Sequence, residues 1–275
     1  MSTTISPKDV MSLRNRTGLP MMACKKALAE AGGDVDAAEE LMRKQLKGKM
    51  DKRVDRAAGE GRIAIAVNFE SGAAAIVELR AETDFTAKND KFIEAAQKIA
   101  EAALNAHGAG EVTIEGDAVA LVDDLRITTG ENISVARAHK LLGETGTTAY
   151  GQYVHHDGKV GVLIQAEGSI NEDTLRKICM HVTAAVPRPL AINPDQVPED
   201  VVEKERKFRI EQAVESGKPQ EIAEKMVEGG MRKFFSEVAL MQQPFVMDQS
   251  KTIADIVGKD ATITAFLRWE VGEDA

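Results

Sequence analysis

The stretch Arg62–Leu79, RIAIAVNFESGAAAIVEL, reads as two strands and a turn, and Gly151–Gln165, GQYVHHDGKVGVLIQ, reads as the same unit a second time. In the first copy the apolar-rich runs Arg62–Phe69 and Ala73–Leu79 flank Ser71-Gly72. In the second, Gly151–Val154 and Lys159–Gln165 flank Asp157-Gly158. Both turns carry the small or polar pair that a tight hairpin requires. A helix is expected after each hairpin, with Phe92, Ala96, Ile99 and Ala103 on one face of the first and Leu175, Cys179, Val182 and Val186 on one face of the second. Gly72 and Gly158 are 86 residues apart, whereas Phe92 and Leu175 are 83 apart, so the first copy holds three extra residues between its second strand and its helix. They fall in Arg80–Asn89, RAETDFTAKN, and a lengthened connection is where function concentrates. The repeat predicts an α+β core of two similar halves.

Between the copies, Asp117–Leu125 has helical spacing, and Asn132–Leu141 alternates through Ile133, Val135, Arg137 and His139 as a strand does. Gly143–Gly146 is a loop and a boundary. After the second copy, Pro187, Pro189, Pro194 and Pro198 break the chain. Two charged helical runs follow, Glu199–Ser216 and Gln220–Leu240, joined by a turn at Gly217 and Pro219. They predict a helical hairpin in which Val202, Phe208 and Ala213 face Ile222, Met226 and Phe234. Lys251–Val257 is then a short helix, and Ile263, Ala265, Leu267 and Trp269 alternate along a closing strand.

Upstream of the repeat, residues 5–48 predict three short helices. Ser6 caps the first, with Pro7 at its first position and Val10 and Leu13 at helical spacing. Met21–Ala31 forms the second and Gly32-Gly33 ends it. Asp34 or Asp36 caps the third, with Ala37, Leu41 and Met42 inward. Helices this short must share one core. The basic residues between 43 and 56 are diluted by Asp51 and Asp55 and read as a solvated linker. The expected boundaries are therefore 1–55 for the three-helix domain with its linker and 56–142 for the first core half. The second half takes 143–189 with 242–275, and the helical hairpin takes 190–241.

The chain has 275 residues, a net charge of -9 and 43% apolar residues, so it can build more than one core and is a poor polyanion binder. Its two cysteines, Cys24 and Cys179, form no C-x-x-C and suit a reducing cytoplasm. The first ten residues show no signal-peptide or transit-peptide pattern, and no apolar run approaches the roughly 20 residues that span a bilayer.

Motifs for chemistry are lacking. No phosphate-binding glycine loop follows a strand, and Gly143–Gly146 has no lysine. His155 and His156 are adjacent, so on a strand they point to opposite faces, and H-E-x-x-H is missing. Cys24 lies beside Lys25 and Lys26 but also fits as a small core thiol. We therefore expect no enzyme activity, no cofactor and no metal. What remains is surface shape. Met21 and Met22 open a helix, and neighbours there diverge by about 100°, so either one of them is exposed for a partner or both are half-buried core methionines. Thr83-Asp84-Phe85 is either a helix cap with the ring turned inward or a protruding polar-then-aromatic tip. The pattern leaves both readings open.

Four stretches together resemble bacterial elongation factor Ts. They are Leu13–Leu28 running on to Gly33-Asp34, the segment Glu82–Asn89, Tyr153–His155 before Gly161–Leu163, and Glu221–Gly229 with Gln243–Met247. The resemblance implies a ubiquitin-associated-like three-helix domain, a core of two α+β subdomains and a helical-hairpin insertion used for dimer contacts in some members. It implies a guanine-nucleotide exchange factor whose partner is the GTPase elongation factor Tu. The family's partner contacts fall on Arg14, Met21, Met22 and Lys25, on Asp84 and Phe85, on His155, and on Val246 and Met247. The Asp-Phe tip would enter the GTP-binding domain and disturb its magnesium site. Whether the chain forms a homodimer or a 2:2 complex with the GTPase stays open. Two departures stand out. Thr86 replaces the usual Val after Asp-Phe, and the sequence stops at Ala275 without the C-terminal module of some members, which predicts a smaller interface. Two other readings are an adaptor for ubiquitin-like folds using residues 1–55, and an enzyme using Cys24 or His155.

Overall fold

A computed structural model describes residues 5–50, 55–217 and 219–273, and the chain divides into two compact units. The first comprises Met1–Ala64, Val77–His139 and Val271–Ala275; the second comprises Ile65–Ile76 and Lys140–Glu270.

In the first unit, α1 (Pro7–Thr17), α2 (Met21–Glu30) and α3 (Val35–Met50) share a small core of Val10, Leu13, Leu19, Cys24, Ala27, Leu28, Ala38 and Met42. Ser6 caps α1 by accepting from the Lys8 amide, and Gly18 ends it at φ 69°. That left-handed conformation suits a residue without Cβ. Asp34 caps α3, accepting from the amides of Asp36 and Ala37. Two expectations change here. Ala38 rather than Ala37 is buried, because the cap at Asp34 sets the helix phase. Residues 43–50 are no solvated linker but continue α3, where Arg43 pairs with Glu39 one turn back and with Asp124 of a later helix. Residues 51–54 lie outside the described residues.

The first hairpin is β1 (Glu60–Asn68) and β2 (Ala73–Ala81), followed by the short α4 (Asp84–Ala87) and then α5 (Asp90–Leu104). Phe92, Ala96, Ile99 and Ala103 are all buried, as their spacing requires. A two-residue strand β3 (Gly110–Glu111), helix α6 (Asp117–Thr129) and strand β4 (Ser134–Leu142) complete a sheet of order β1-β2-β4-β3. Buried Glu78 receives the Nε–H of Arg80 (2.7 Å) and of Arg137 (2.6 Å) and the amide of Gly272 (3.0 Å). Its charge is thus fully compensated inside the fold.

The second unit carries the repeat. Strands β5 (Thr148–Val154) and β6 (Val160–Gly168) pair antiparallel, and α7 (Glu172–Ala184) packs on them. Gly151 lets the helix come close: a Cβ there would stand 2.5 Å from Leu175 Cβ and 2.9 Å from its carbonyl carbon. Leu175, Cys179 and Val182 are buried, but α7 ends at Ala184, so Val186 is 96% exposed instead of lying on its inner face. Helices α8 (Glu199–Glu215) and α9 (Gln220–Val238) follow and pack on each other. The seam keeps Val202 and Phe234 of the expected set but not Phe208, Ile222 or Met226. Val201, Val202 and Ile210 pack on Val227, Met231, Phe234 and Val238, whereas Phe208, Ile222 and Met226 are exposed. A shift of one residue turns a helix face by about 100°, and the charge-rich α8 gave little apolar signal to fix the phase.

The chain closes through β7 (Pro244–Phe245), β8 (Asp248–Thr252), α10 (Ile253–Val257) and β9 (Ala261–Glu270). Strand β9 pairs with β6, giving the order β5-β6-β9, and a bulge at Gln165/Ala166 breaks the simple alternation expected along it. Thr252 and Asp255 cap α10 reciprocally, so Lys251 belongs to β8 and not to that helix.

Candidate functional site

The lengthened connection after β2 forms a bracketed turn. Thr83 caps α4, and its hydroxyl accepts from the Thr86 amide. The single helical turn sends Thr86 and Ala87 inward and Phe85 outward, at 84% exposure. Of the two readings that the sequence left open, the protruding tip is the one found: Thr83 does cap the helix, but the ring is turned outward and not inward. Beside the ring, Asp84 accepts from the Lys88 ammonium at 2.7 Å, which holds its carboxyl below the ordinary value.

Behind the turn sits a residue that sequence reasoning missed. One carboxylate oxygen of Glu131 accepts from the amides of Glu82 and Thr83, both at 3.1 Å. The other accepts from the hydroxyls of Thr83 (2.6 Å) and Thr86 (2.7 Å). Glu82 answers by accepting from the Asn132 amide at 2.6 Å. The Thr86 hydroxyl therefore adds a bond to the brace. No local pattern could reveal Glu131, which lies 48 residues from Thr83.

The remaining residues lie on exposed turns and exposed helix faces. In the first unit, Arg14 is exposed on α1, and Met21 (46%), Met22 (74%) and Lys25 are all exposed on α2, so both methionines are turned out. In the second unit, His155 follows β5, its Nδ1 3.0 Å from Asp157 Oδ1. The rings of His155 and His156 lie 4.2 Å apart, not on opposite faces, because β5 ends at Val154 and both sit in the turn. Val246 and Met247 form the turn between β7 and β8, at 41% and 48% exposure.

That last turn rests on a buried histidine. The Val246 amide donates to His181 Nδ1 at 3.2 Å, and His181 Nε2 is 2.9 Å from the Gln243 side-chain oxygen Oε1. The Gln243 side-chain nitrogen Nε2 donates to the backbone carbonyls of Pro187 and Glu237. With Nδ1 accepting and Nε2 donating, His181 is neutral. Burial pushes its pKa below the ordinary 6.5, and the Gln243 bond only partly offsets this. A folded-state pKa below the unfolded one means that the unfolded chain binds more protons in that window. Stability is therefore full above about pH 6.5 and is lost as pH falls through the folded pKa. We expect the thermal midpoint to drop between pH 7.5 and 5.5. His181→Leu should be less stable at pH 7.5 but lack that component of the slope. His139, also lowered by burial, acts in the same direction. A midpoint whose pH dependence is the same in both proteins would contradict this.

The geometry offers little for covalent chemistry. Cys24 is fully buried, with its thiol near the Leu19 carbonyl and the Thr17 hydroxyl, so no substrate reaches it. Among the described residues no group of three or more His, Cys, Asp and Glu is placed to hold a metal ion, and no helix is long and apolar enough to cross a membrane. An α+β fold that presents exposed Phe and Met side chains on short, hydrogen-bonded turns defines a protein that acts by contact with another protein. The chain belongs to the elongation factor Ts family, whose model matches residues 82–273. It is 44% identical to elongation factor Ts of Vibrio vulnificus over 96% of this chain and 90% of that one. It is 44% identical to that of Haemophilus ducreyi (98% and 92%) and 40% identical to that of Thioalkalivibrio sulfidiphilus (98% and 93%). It is thus a translation elongation factor of the guanine-nucleotide exchange class.

Proposed function

We propose that the chain binds the GDP form of elongation factor Tu in the cytoplasm and releases the nucleotide by inserting the Asp84–Phe85 turn into the GTP-binding domain, disturbing the magnesium site there. The observation that carries this reading is the 84% exposed ring of Phe85 on a turn whose backbone and hydroxyls are tied down. An exposed aromatic on a floppy loop would pay ordering entropy on insertion; a fixed one avoids most of that cost. Arg14, Met21, Met22 and Lys25 hold the partner through the domain at 1–55, while His155, Val246 and Met247 hold it through the second core half, so that the tip stays seated. The factor itself makes and breaks no bond and carries no cofactor. The exposed Phe208, Ile222 and Met226 on the hairpin at 190–241 are available to a second copy, as in a homodimer or a 2:2 complex with the GTPase.

Mixing the chain with elongation factor Tu loaded with fluorescent GDP tests the reading. GDP release should accelerate with factor concentration to a plateau, and without free GDP the two proteins should co-elute on a sizing column. No acceleration and no co-elution would overturn it.

A further inference from the structure

We propose that Glu131 is a positioning residue for nucleotide release: its carboxylate fixes the angle at which the Phe85 ring leaves the surface. The inference rests on the exchange reading above and deepens it. Four hydrogen bonds converge on this one side chain, two from backbone amides and two from hydroxyls, and all four come from residues 82, 83 and 86. Those residues flank Phe85 on both sides. The turn they hold is only four residues long, too short for helical cooperativity to fix its own geometry. Glu131 is itself anchored. Its amide donates to the Thr129 hydroxyl at the end of α6, and the next residue, Asn132, is buried, with its amide on Glu82 and its side-chain nitrogen on the Arg56 carbonyl. Both carboxylate oxygens accept and neither donates, and bonds to an ionised acceptor are about twice as strong as neutral ones. Thr86 closes the bracket on the far side of the ring. Its hydroxyl is 2.7 Å from Glu131, and the residue is buried.

A side chain that holds a wedge differs from one that holds a fold in what its loss changes. Removing Glu131 frees the turn, so complexes still form but the ring is aimed correctly for only part of the time. Misplacement by about an ångström can cost on the order of a hundredfold in a positioned step.

The test is a double-mutant cycle on GDP release from elongation factor Tu, read by stopped flow with fluorescent GDP. Glu131→Ala should lower the plateau rate by about ten- to a hundredfold while leaving the half-saturating concentration nearly unchanged. Glu131→Gln, which keeps the reach and lets the two hydroxyls accept instead of donate, should recover most of the rate. Glu131→Asp keeps the charge but withdraws the oxygens by one methylene; it should lose rate in the same direction and serves where Glu131→Ala folds poorly. In the Phe85→Ala background, Glu131→Ala should cost almost nothing further, because the wedge it aims is gone. A wild-type plateau for Glu131→Ala and Glu131→Asp, alongside a slow Phe85→Ala, would overturn the proposal and leave the exchange reading standing. So would an undiminished Glu131→Ala effect in the Phe85→Ala background, which would place its action elsewhere. A wild-type plateau for Phe85→Ala itself would overturn the tip mechanism, and with it this inference.

Discussion

Phe85→Ala should lower the plateau rate of GDP release from elongation factor Tu by about 30- to 1000-fold and leave the factor folded. The size follows from coupling. A factor that weakens GDP binding is itself bound more weakly by the GDP form, by the same ratio. Shifting such an equilibrium by about 10⁴ takes roughly 5.5 kcal/mol of differential contact, and a buried interface anchor supplies about 2–4 kcal/mol. One aromatic wedge therefore provides a large share, and its loss converts to the stated range at about 1.4 kcal/mol per tenfold. The free factor should not notice the change, because the ring is 84% exposed and makes no part of the brace. The thermal midpoint of the variant should match that of the unchanged protein. An unaltered plateau rate would remove the ring from the mechanism. A lowered midpoint would mean that the ring supports its own fold.

The signals readable in the sequence were short-range ones. Gly72 and Gly158 mark hairpin turns by local backbone demand, at φ 61° and 76°, and the spacing of Phe92, Ala96, Ile99 and Ala103 marks one buried helix face. Both kinds of information sit within a few residues of where they act. The exposed Met22 and the cap at Thr83 are local as well, but the sequence left open which methionine faces out and which way the Phe85 ring turns. What escaped was long-range or depended on helix phase. Glu131 meets Thr83 and Thr86 across 48 and 45 residues, and His181 meets Gln243 and Val246 across 62 and 65. No periodicity joins such pairs. The α8–α9 seam escaped for another reason. Where charged residues surround each apolar one, several phases of the helix bury nearly equal area, and packing against neighbouring elements decides among them. The brace and the buried histidine both lie directly behind turns that the family resemblance singles out, so the resemblance named candidate contact residues without showing what holds those turns in place.

Phe92→Ala should do the opposite of Phe85→Ala: it should cost the first unit about 3–5 kcal/mol of stability while removing nothing from the contact surface. The two rings lie on consecutive helices, α4 and α5, but Phe92 is fully buried. It stands in the first turn of α5 above Ala95, Ala96, Ile99, Ala100 and Ala103, all buried. Four of those five are alanines, with no rotamer that could swing into the space the ring leaves. The cavity should therefore stay open, which puts the cost toward the upper part of the range for a buried aromatic, since that cost depends on how far a site can collapse. Against a total of about 5–15 kcal/mol for a domain, this is a large fraction. With a urea dependence of about 1–3 kcal/mol per molar, the unfolding midpoint of the first unit should fall by roughly 2 M. At low temperature and without denaturant, the fraction that remains folded should still present Phe85 on its brace and drive release. An unchanged urea midpoint would show that α5 does not depend on this ring, and the assignment of Phe92 to the core would fall.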